Sequence, residues 1–185
     1  MSRRQRARIR VGISACLLGQ AVRYDGGHKR DHRIIATLGR LFEWVPVCPE
    51  VEMGLGVPRE ALRLEGRDDP PRLVFRDTRV DITDRMNAWS RRRLKRIEAM
   101  DLCGYVLKSE SPSCGMKRVK VFKGGGPGRP ARKGAGLFAR ALMDRFPRLP
   151  VEEEGRLHQR AARDRFVERV VSYRRQRERR VGGGA

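Results

Sequence analysis

The chain has 185 residues and carries 43 Lys and Arg against 22 Asp and Glu, which gives a formal net charge of +21 at pH 7. This length suits one compact domain with a short appendage. Apolar residues make up 39% of the chain, enough for a core, yet no run approaches the roughly 20 apolar residues that a membrane-spanning helix needs, so a membrane-spanning protein is excluded.

The first ten residues form a basic arm with five arginines. The apolar run that follows is short and contains Ser14 and Cys16, so the arm lacks the apolar region and cleavage site of a signal peptide. This pattern predicts a cytoplasmic protein. In that reducing compartment the four scattered cysteines are expected to be thiols or metal ligands rather than disulfides.

Beyond the arm, apolar stretches typical of strands alternate with stretches of helical periodicity. The predicted elements are, in chain order, a strand that begins the stretch 10–16, a helix at 31–41, a strand at 42–48, a helix at 83–100 that Thr83 could cap, a strand at 102–108, a helix at 138–146, a strand at 149–151 and a long basic helix at 155–180. Prolines and glycines predict a loop that holds Pro58 and a breaker at 68–71, and a linker at 124–136. Arg93 interrupts the apolar face of the helix at 83–100.

This alternation favours an α/β domain with a mainly parallel sheet. Right-handed crossovers then bring the carboxyl ends of all the strands to one edge, where ligands of such sheets bind. Cys16 follows the first predicted strand, Cys48 ends the second and Cys114 lies beyond the third. We therefore expect three thiols to meet at this edge. Three thiolates suit an iron–sulfur cluster with one iron that lacks a protein ligand, and such an iron can act as a Lewis acid.

Two other interpretations of the cysteines stay open at this point. The three thiols could be unrelated buried side chains. Alternatively, His28 and His32 could join cysteines in a zinc site, although the sequence has no Cys-x-x-Cys pair. Cys103 differs from the other three because it lies within an apolar strand, where we expect it to pack as a small hydrophobic residue.

Polar residues next to the cysteines are candidates for proton transfer and substrate binding. Glu50 lies two residues after Cys48, so in an extended segment both side chains point to the same side. A carboxylate beside a metal site can position or deprotonate water, and the alternative is an ion pair with one of the many arginines. Ser111 and Ser113 precede Cys114, where their hydroxyls either bind a substrate or close a turn.

The positive charge is unevenly distributed along the chain. No acidic residue occurs between Glu110 and Asp144, a stretch with eight basic side chains, and residues 156–180 add ten arginines against three acidic residues. Such stretches attract phosphate and predict contact with RNA or DNA. The alternative is a solvated basic surface, because 36 of the 43 basic residues are arginine, a bias that genome composition alone can produce.

Six blocks of the sequence resemble the TudS family, which is known for the thiouracil desulfidase. They occur in the same order as in that family and fall between residues 11 and 115. The blocks are ISACLLG at 13–19, RYDGG at 23–27, VCPE at 47–50, GLGVPR at 54–59, DIT at 81–83 and LKSESPSCG at 107–115. Their number and order make the match specific.

The resemblance implies a Rossmann-like, three-layer α/β domain that holds a 4Fe-4S cluster on Cys16, Cys48 and Cys114. The open iron of such a cluster takes up the sulfur of a thiolated pyrimidine. By the same likeness Glu50 would be the acid/base, and Ser111 would assist proton transfer or orient the substrate. The candidate substrate-binding residues in the matched blocks are Tyr24, Asp25, Ser109 and Ser113.

Blocks further along resemble the long members of the family, in which a second, helical domain follows. We expect a basic arm at 1–10, a cluster-binding domain at 11–154, and at 155–185 a basic helix that resembles the start of a truncated second domain, with a Gly-rich end. Long members imply thiouridine in tRNA as the substrate, and single-domain members imply a free thiobase such as thiouracil. The alternative to a desulfidase is a non-catalytic nucleic-acid-binding module, or an inactive truncated relic, with structural cysteines.

Overall fold

The structure is a computed structural model that describes residues 8–66, 70–123 and 129–182. The strands are β1 (Ile9–Ser14), β2 (Phe42–Val47), β3 (Leu62–Glu65), β4 (Arg72–Phe75), β5 (Tyr105–Leu107), β6 (Val119–Phe122), β7 (Ala131–Gly134) and β8 (Val151–Glu153). The helices are α1 (His32–Leu38), α2 (Pro49–Glu52), α3 (Thr83–Ala99), α4 (Leu137–Arg145), α5 (Glu154–Leu157) and α6 (Arg160–Gly182), and Ala15–Leu18 form a 3-10 turn. Outside the described residues lie most of the predicted basic arm, part of the breaker at 68–71, the first part of the predicted linker and the Gly-rich end.

The first sheet consists of four parallel strands in the order β2-β1-β5-β8. The two central strands, β1 and β5, are buried along most of their length, which explains their largely apolar sequences. On one face Trp89 of α3 and Tyr105 of β5 pack against Phe138 of α4. On the other face Phe166 of α6 packs against Phe42 of β2. These helix–sheet–helix layers confirm the predicted α/β class, the mainly parallel sheet and the long C-terminal helix.

A second sheet lies where the sequence predicts only loops, in the order β4-β3-β6-β7. β3 pairs in antiparallel fashion with β4 and in parallel with β6, and β6 forms an antiparallel hairpin with β7. The predicted linker at 124–136 is therefore wrong at Ala131–Gly134, and the predicted loop after Cys48 contains two strands. These strands have only four residues each, and basic side chains interrupt their apolar positions, so no long apolar run marks them.

Two helix predictions need correction. The Thr83 hydroxyl does not cap α3, because it accepts a hydrogen bond from the Leu73 N–H at 2.8 Å. Instead, the carboxylate of Asp81 accepts the N–H of Thr83 at 2.9 Å, which satisfies one of the free donors at the start of that helix. The predicted helix at 155–180 is divided into α5 and α6, with residues 158–159 between them. Among the described residues, no helix combines the length and the apolar character that crossing a membrane requires.

Candidate active site

The carboxyl ends of the four parallel strands meet at one edge of the first sheet, and the candidate residues follow them. Cys16 lies two residues after β1 ends, and Cys48 directly follows β2. The loop after β5 carries Cys114. All three cysteines line one cavity with a volume of about 420 Å³, a size that is usual for small-molecule sites. The structure thus brings together the three thiols that the sequence places after strands.

Cys16 lies in the 3-10 turn, which ends at Gly19 with a φ of 91°. This left-handed conformation favours glycine and lets the chain turn sharply after the strand. The carbonyl of Cys16 accepts the N–H of Gly19 at 3.2 Å and that of Lys29 at 2.9 Å. The backbone of Cys16 is therefore fixed from both sides, and its half-buried thiol faces the cavity.

Cys48 is the residue that precedes the first turn of α2, and Pro49 occupies the first helical position. Proline is favoured there because its φ is already helical and no N–H is needed. The sulfur of Cys48 lies 3.4 Å from Oε2 of Glu50 and 3.8 Å from the carbonyl oxygen of Val22. Glu50 also lines the cavity, so a carboxylate and a thiol share this wall.

Cys114 lies in a tight turn that backbone hydrogen bonds hold against the start of α4. The Oγ of Ser111 accepts the N–H of Cys114 at 3.0 Å and that of Ser113 at 3.2 Å. Gly136, just before α4, donates its N–H to the carbonyl of Gly115 at 2.7 Å. A Cβ at Gly136 would lie 2.4 Å from the carbonyl carbon of Ser113, so only glycine allows this close approach.

Burial controls the protonation of the three thiols. It raises the pKa of Cys16 to about 11 and that of Cys48 to about 12, and the carboxylate of Glu50 contributes to both increases. Burial also raises the pKa of Cys114 well above its usual value. At neutral pH the metal-free chain therefore holds neutral thiols, and a bound metal must displace their protons.

The donor set fits an iron–sulfur cluster. Three thiols converge on one cavity, and thiolates are the ligands that such clusters take from proteins. Cys103 is buried in the core on the α6 side of the first sheet, together with Phe42 and Phe166. Its thiol donates to the carbonyl of Asp101. It therefore packs as the sequence predicts and does not line the cavity. Within the described parts of the chain, no three His, Cys, Asp or Glu side chains are arranged to hold a single metal ion. His28 and His32, considered for a zinc site with the cysteines, do not line the cavity.

The predicted polar residues fall into two groups. Glu50, Ser111, Ser109 and Tyr24 line the cavity with the cysteines. Asp25 does not line it but is exposed and pairs with Arg23 at 3.2 Å. Ser113 is fully buried behind the turn, and its hydroxyl has no hydrogen-bond partner in the described part of the chain.

Two comparisons identify the family to which this arrangement belongs. A model of the family described as 2-thiouracil desulfurase matches residues 11–154, which is most of the chain. The chain belongs to the 2-thiouracil desulfurase family. A solved structure described as a 4Fe-4S-dependent thiouracil desulfidase, TudS, superposes with a TM-score of 0.64 at 31% sequence identity and covers 81% of this chain and 93% of that one. No curated protein matches the chain at a significant level.

In this member of the 2-thiouracil desulfurase family, two charged residues of the site escape the sequence prediction. Lys108 directly follows β5 and Glu154 directly follows β8, and both side chains are largely buried. Their side chains form an ion pair, and Glu154 also accepts the N–H of Ser109 at 2.6 Å and its hydroxyl at 2.7 Å. The reasoning that located the cysteines could also have found Lys108 and Glu154, because residues that follow parallel strands meet at one edge of the sheet.

Arg59 lines the cavity and is another residue that the sequence prediction missed. It follows the cis peptide bond between Val57 and Pro58 and donates from Nη2 to the carbonyl of Val22 at 3.0 Å. The backbone N–H of Arg59 donates to the carbonyl of Tyr24 at 2.8 Å. These bonds tie the loop after α2 to the loop after the 3-10 turn. The contact joins residues far apart in sequence, so local patterns carry no signal for it.

Proposed function

We propose that this protein is an iron–sulfur-dependent, non-redox desulfidase that removes sulfur from a thiolated pyrimidine such as 2-thiouracil. The observation that carries the proposal is the convergence of Cys16, Cys48 and Cys114 on one cavity, with the Glu50 carboxylate 3.4 Å from the Cys48 sulfur. Family membership and the similarity to a 4Fe-4S-dependent thiouracil desulfidase support the same reaction class.

Cys16, Cys48 and Cys114 would hold a 4Fe-4S cluster. Such a cluster, when three thiolates bind it, supplies one open iron that polarises a thiocarbonyl group as a Lewis acid. The net reaction exchanges the sulfur of a C=S group for the oxygen of water and releases sulfide, so no oxidant or reductant is required. What the protein must supply beyond the ligands is proton transfer and substrate orientation.

In this proposal Glu50 moves the proton. Its carboxylate lines the cavity beside Cys48, where it can take a proton from the attacking water and return it to the leaving sulfur or the ring. Ser111 holds its oxygen toward the N–H groups of Ser113 and Cys114, which leaves its own O–H free to donate to a substrate carbonyl or thiocarbonyl. Tyr24, at the cavity wall, offers an aromatic surface for a pyrimidine ring.

A tRNA substrate is a finer proposal, and the basic hairpin made by β6 and β7 favours it. Five exposed cations on or beside this hairpin have no hydrogen-bond or ion-pair partner among the described residues: Lys117, Arg118, Lys120, Lys123 and Lys133. Arg132 of β7 pairs with Glu110, which lines the cavity. This pair connects the hairpin to the cavity rim, and the five cations without a partner can attract the phosphates of RNA.

Anaerobic reconstitution of the full chain with iron and sulfide tests the proposal. We expect roughly four irons per chain, the broad visible absorption of thiolate-to-iron charge transfer, and conversion of 2-thiouracil to uracil with one sulfide released per turnover. Stoichiometric zinc with no uptake of iron would overturn the cluster. A fully loaded protein that turned over neither 2-thiouracil nor thiouridine would instead favour the non-catalytic nucleic-acid-binding alternative.

A further inference from the structure

Arg93 is the residue that interrupts the apolar face of α3, and the structure shows its partner. Its side chain is only 11% exposed, and Met86, Trp89 and Leu94 of the same helix are buried. A guanidinium group in such surroundings is costly unless it is paired. The Nε of Arg93 lies 2.8 Å from Oε2 of Glu52. Its N–H is not aligned for a hydrogen bond, so the charges are matched by proximity in an ion pair.

Glu52 connects this cation to the Cys48 segment. It is the last residue of α2 and lies four residues after Cys48. Its second oxygen, Oε1, accepts the backbone N–H of Cys48 at 3.3 Å. One carboxylate thus contacts the guanidinium of α3 on one side and the peptide group of Cys48 on the other.

We propose that Glu52 and Arg93 are positioning residues that fix the backbone of Cys48 and thereby aim its thiolate at the cluster. The proposal rests on the proposed function, in which Cys48 is a cluster ligand. The peptide N–H of Cys48 sets the direction of the Cα–Cβ bond, and the ion pair prevents the carboxylate from rotating away. Groups that orient a metal ligand in this way commonly change metal affinity by about 10- to 100-fold.

Simple packing of α2 against α3 is the competing explanation, and the chain contains a matched control for it. Arg85, also on α3, donates from Nη2 to the carbonyl of Met53 at 2.9 Å and to that of Gly54 at 3.4 Å. It therefore links the same helix to the same turn, yet it makes no contact with Cys48. Removing Arg85 tests the general link, whereas removing Arg93 tests the link to the cysteine.

The experiment measures how tightly reconstituted full-length protein retains iron against a chelator, alongside its visible circular dichroism. Glu52→Ala and Arg93→Met are expected to lower retention by about 10- to 100-fold and to change the dichroism, while Arg85→Met behaves as wild type. Glu52→Gln keeps an oxygen for the Cys48 N–H but loses the ion pair, so we expect an intermediate loss. The double variant Glu52→Ala with Arg93→Met should lose no more than Glu52→Ala alone, because the pair acts as a unit.

Wild-type iron retention in Glu52→Ala and Arg93→Met would overturn the inference and leave the proposed function intact. An equal loss in Arg85→Met would also overturn it, since packing of the turn would then explain the effect. If Glu52→Ala does not fold when metal-free, the isosteric Glu52→Gln decides, and unchanged retention and dichroism in that variant would overturn the inference. Failure of wild-type protein to bind iron would overturn the proposed function and the inference together.

Discussion

The segments that carry Cys48 and Cys114 are held in different ways. The Cys48 segment is fixed by side-chain charges, because Glu52 joins the N–H of Cys48 to Arg93. The Cys114 turn is fixed by its backbone, through the start of α4 and the close approach of Gly136. Charged side chains also contact this loop: Glu154 pairs with Lys108 at its start, and Glu153 accepts the N–H of Met116 at 2.8 Å just after the turn.

This difference separates two kinds of sensitivity. A charge-held segment responds to removal of a carboxylate or a cation, whereas a backbone-held turn responds to added volume. The segments also differ in chemistry, because the Cys48 side brings an acid, Glu50, and the Cys114 side brings hydroxyls and N–H groups. Substitutions on the two sides should therefore affect proton transfer and ligand placement differently.

The largest effect is expected from Glu50→Gln, which removes the acid of the Cys48 side and keeps its size. Iron content should remain at the wild-type level, while turnover of 2-thiouracil should fall about 100- to 10,000-fold, the usual contribution of a general acid or base. The control is Glu43→Gln on β2, because Glu43 is exposed and pairs with Arg10. Loss of iron in Glu50→Gln would make Glu50 a ligand or a structural residue instead.

Glu154→Ala tests the buried ion pair of the Cys114 side. Loss of Glu154 leaves the N–H and hydroxyl of Ser109 without their acceptor. It also removes the counter-ion of Lys108, which is 21% exposed and keeps hydrogen bonds to the carbonyl and hydroxyl of Ser109. We expect the free energy of unfolding of the metal-free protein to fall by about 3 kcal/mol, the lower end for broken buried pairs. Urea denaturation measures this change.

The control for that variant is Glu110→Ala. Glu110 belongs to the same loop, but both it and its partner Arg132 are exposed, so its removal should cost less than about 1 kcal/mol. Equal losses in the two variants would show that burial does not distinguish the pairs and would contradict the account of Glu154 as an anchor.

Gly136→Ala tests the backbone-held turn through added volume. A Cβ would lie 2.4 Å from the carbonyl carbon of Ser113 and 2.8 Å from the nitrogen of Cys114, so the turn must shift. We expect a loss of about 1–3 kcal/mol in unfolding free energy and weaker iron retention. Gly155→Ala is the matched control, because a Cβ there meets nothing within 4 Å and alanine favours helix. Normal iron retention in Gly136→Ala would contradict the proposed rigidity of the turn.

The smallest effect on chemistry is expected from the basic hairpin, which belongs to neither segment. Replacing Lys117, Lys120, Lys123 and Lys133 by Gln should leave turnover of a free thiobase unchanged, because a neutral ring makes no phosphate contacts. If tRNA is bound, its affinity should fall with salt with a log–log slope of about −0.7 to −0.9 per neutralised phosphate, and the variant should show a shallower slope. Absence of tRNA binding even at low ionic strength would leave these lysines as solvated surface.

The sequence indicates the first sheet well, because its buried central strands β1 and β5 lie in largely apolar runs. Because the carboxyl ends of parallel strands meet at one edge of the sheet, the sequence also predicts that the three cysteines and Glu50 lie together. The second sheet is not predictable in this way, since strands such as β6 are short and carry lysine between their apolar residues. Long-range partners are missed as well. Arg93 is conspicuous in the sequence, but only the fold shows that it faces Glu52.

The central claim is that Cys16, Cys48 and Cys114, and not Cys103, hold the cluster. Iron and acid-labile sulfide measured after anaerobic reconstitution of four single Cys→Ser variants test it most directly. We expect Cys16→Ser, Cys48→Ser and Cys114→Ser each to lose the visible absorption and most of the iron, while Cys103→Ser keeps roughly four irons per chain, as wild type does. Full iron loading in any of the first three variants, or its loss in Cys103→Ser alone, would contradict the account.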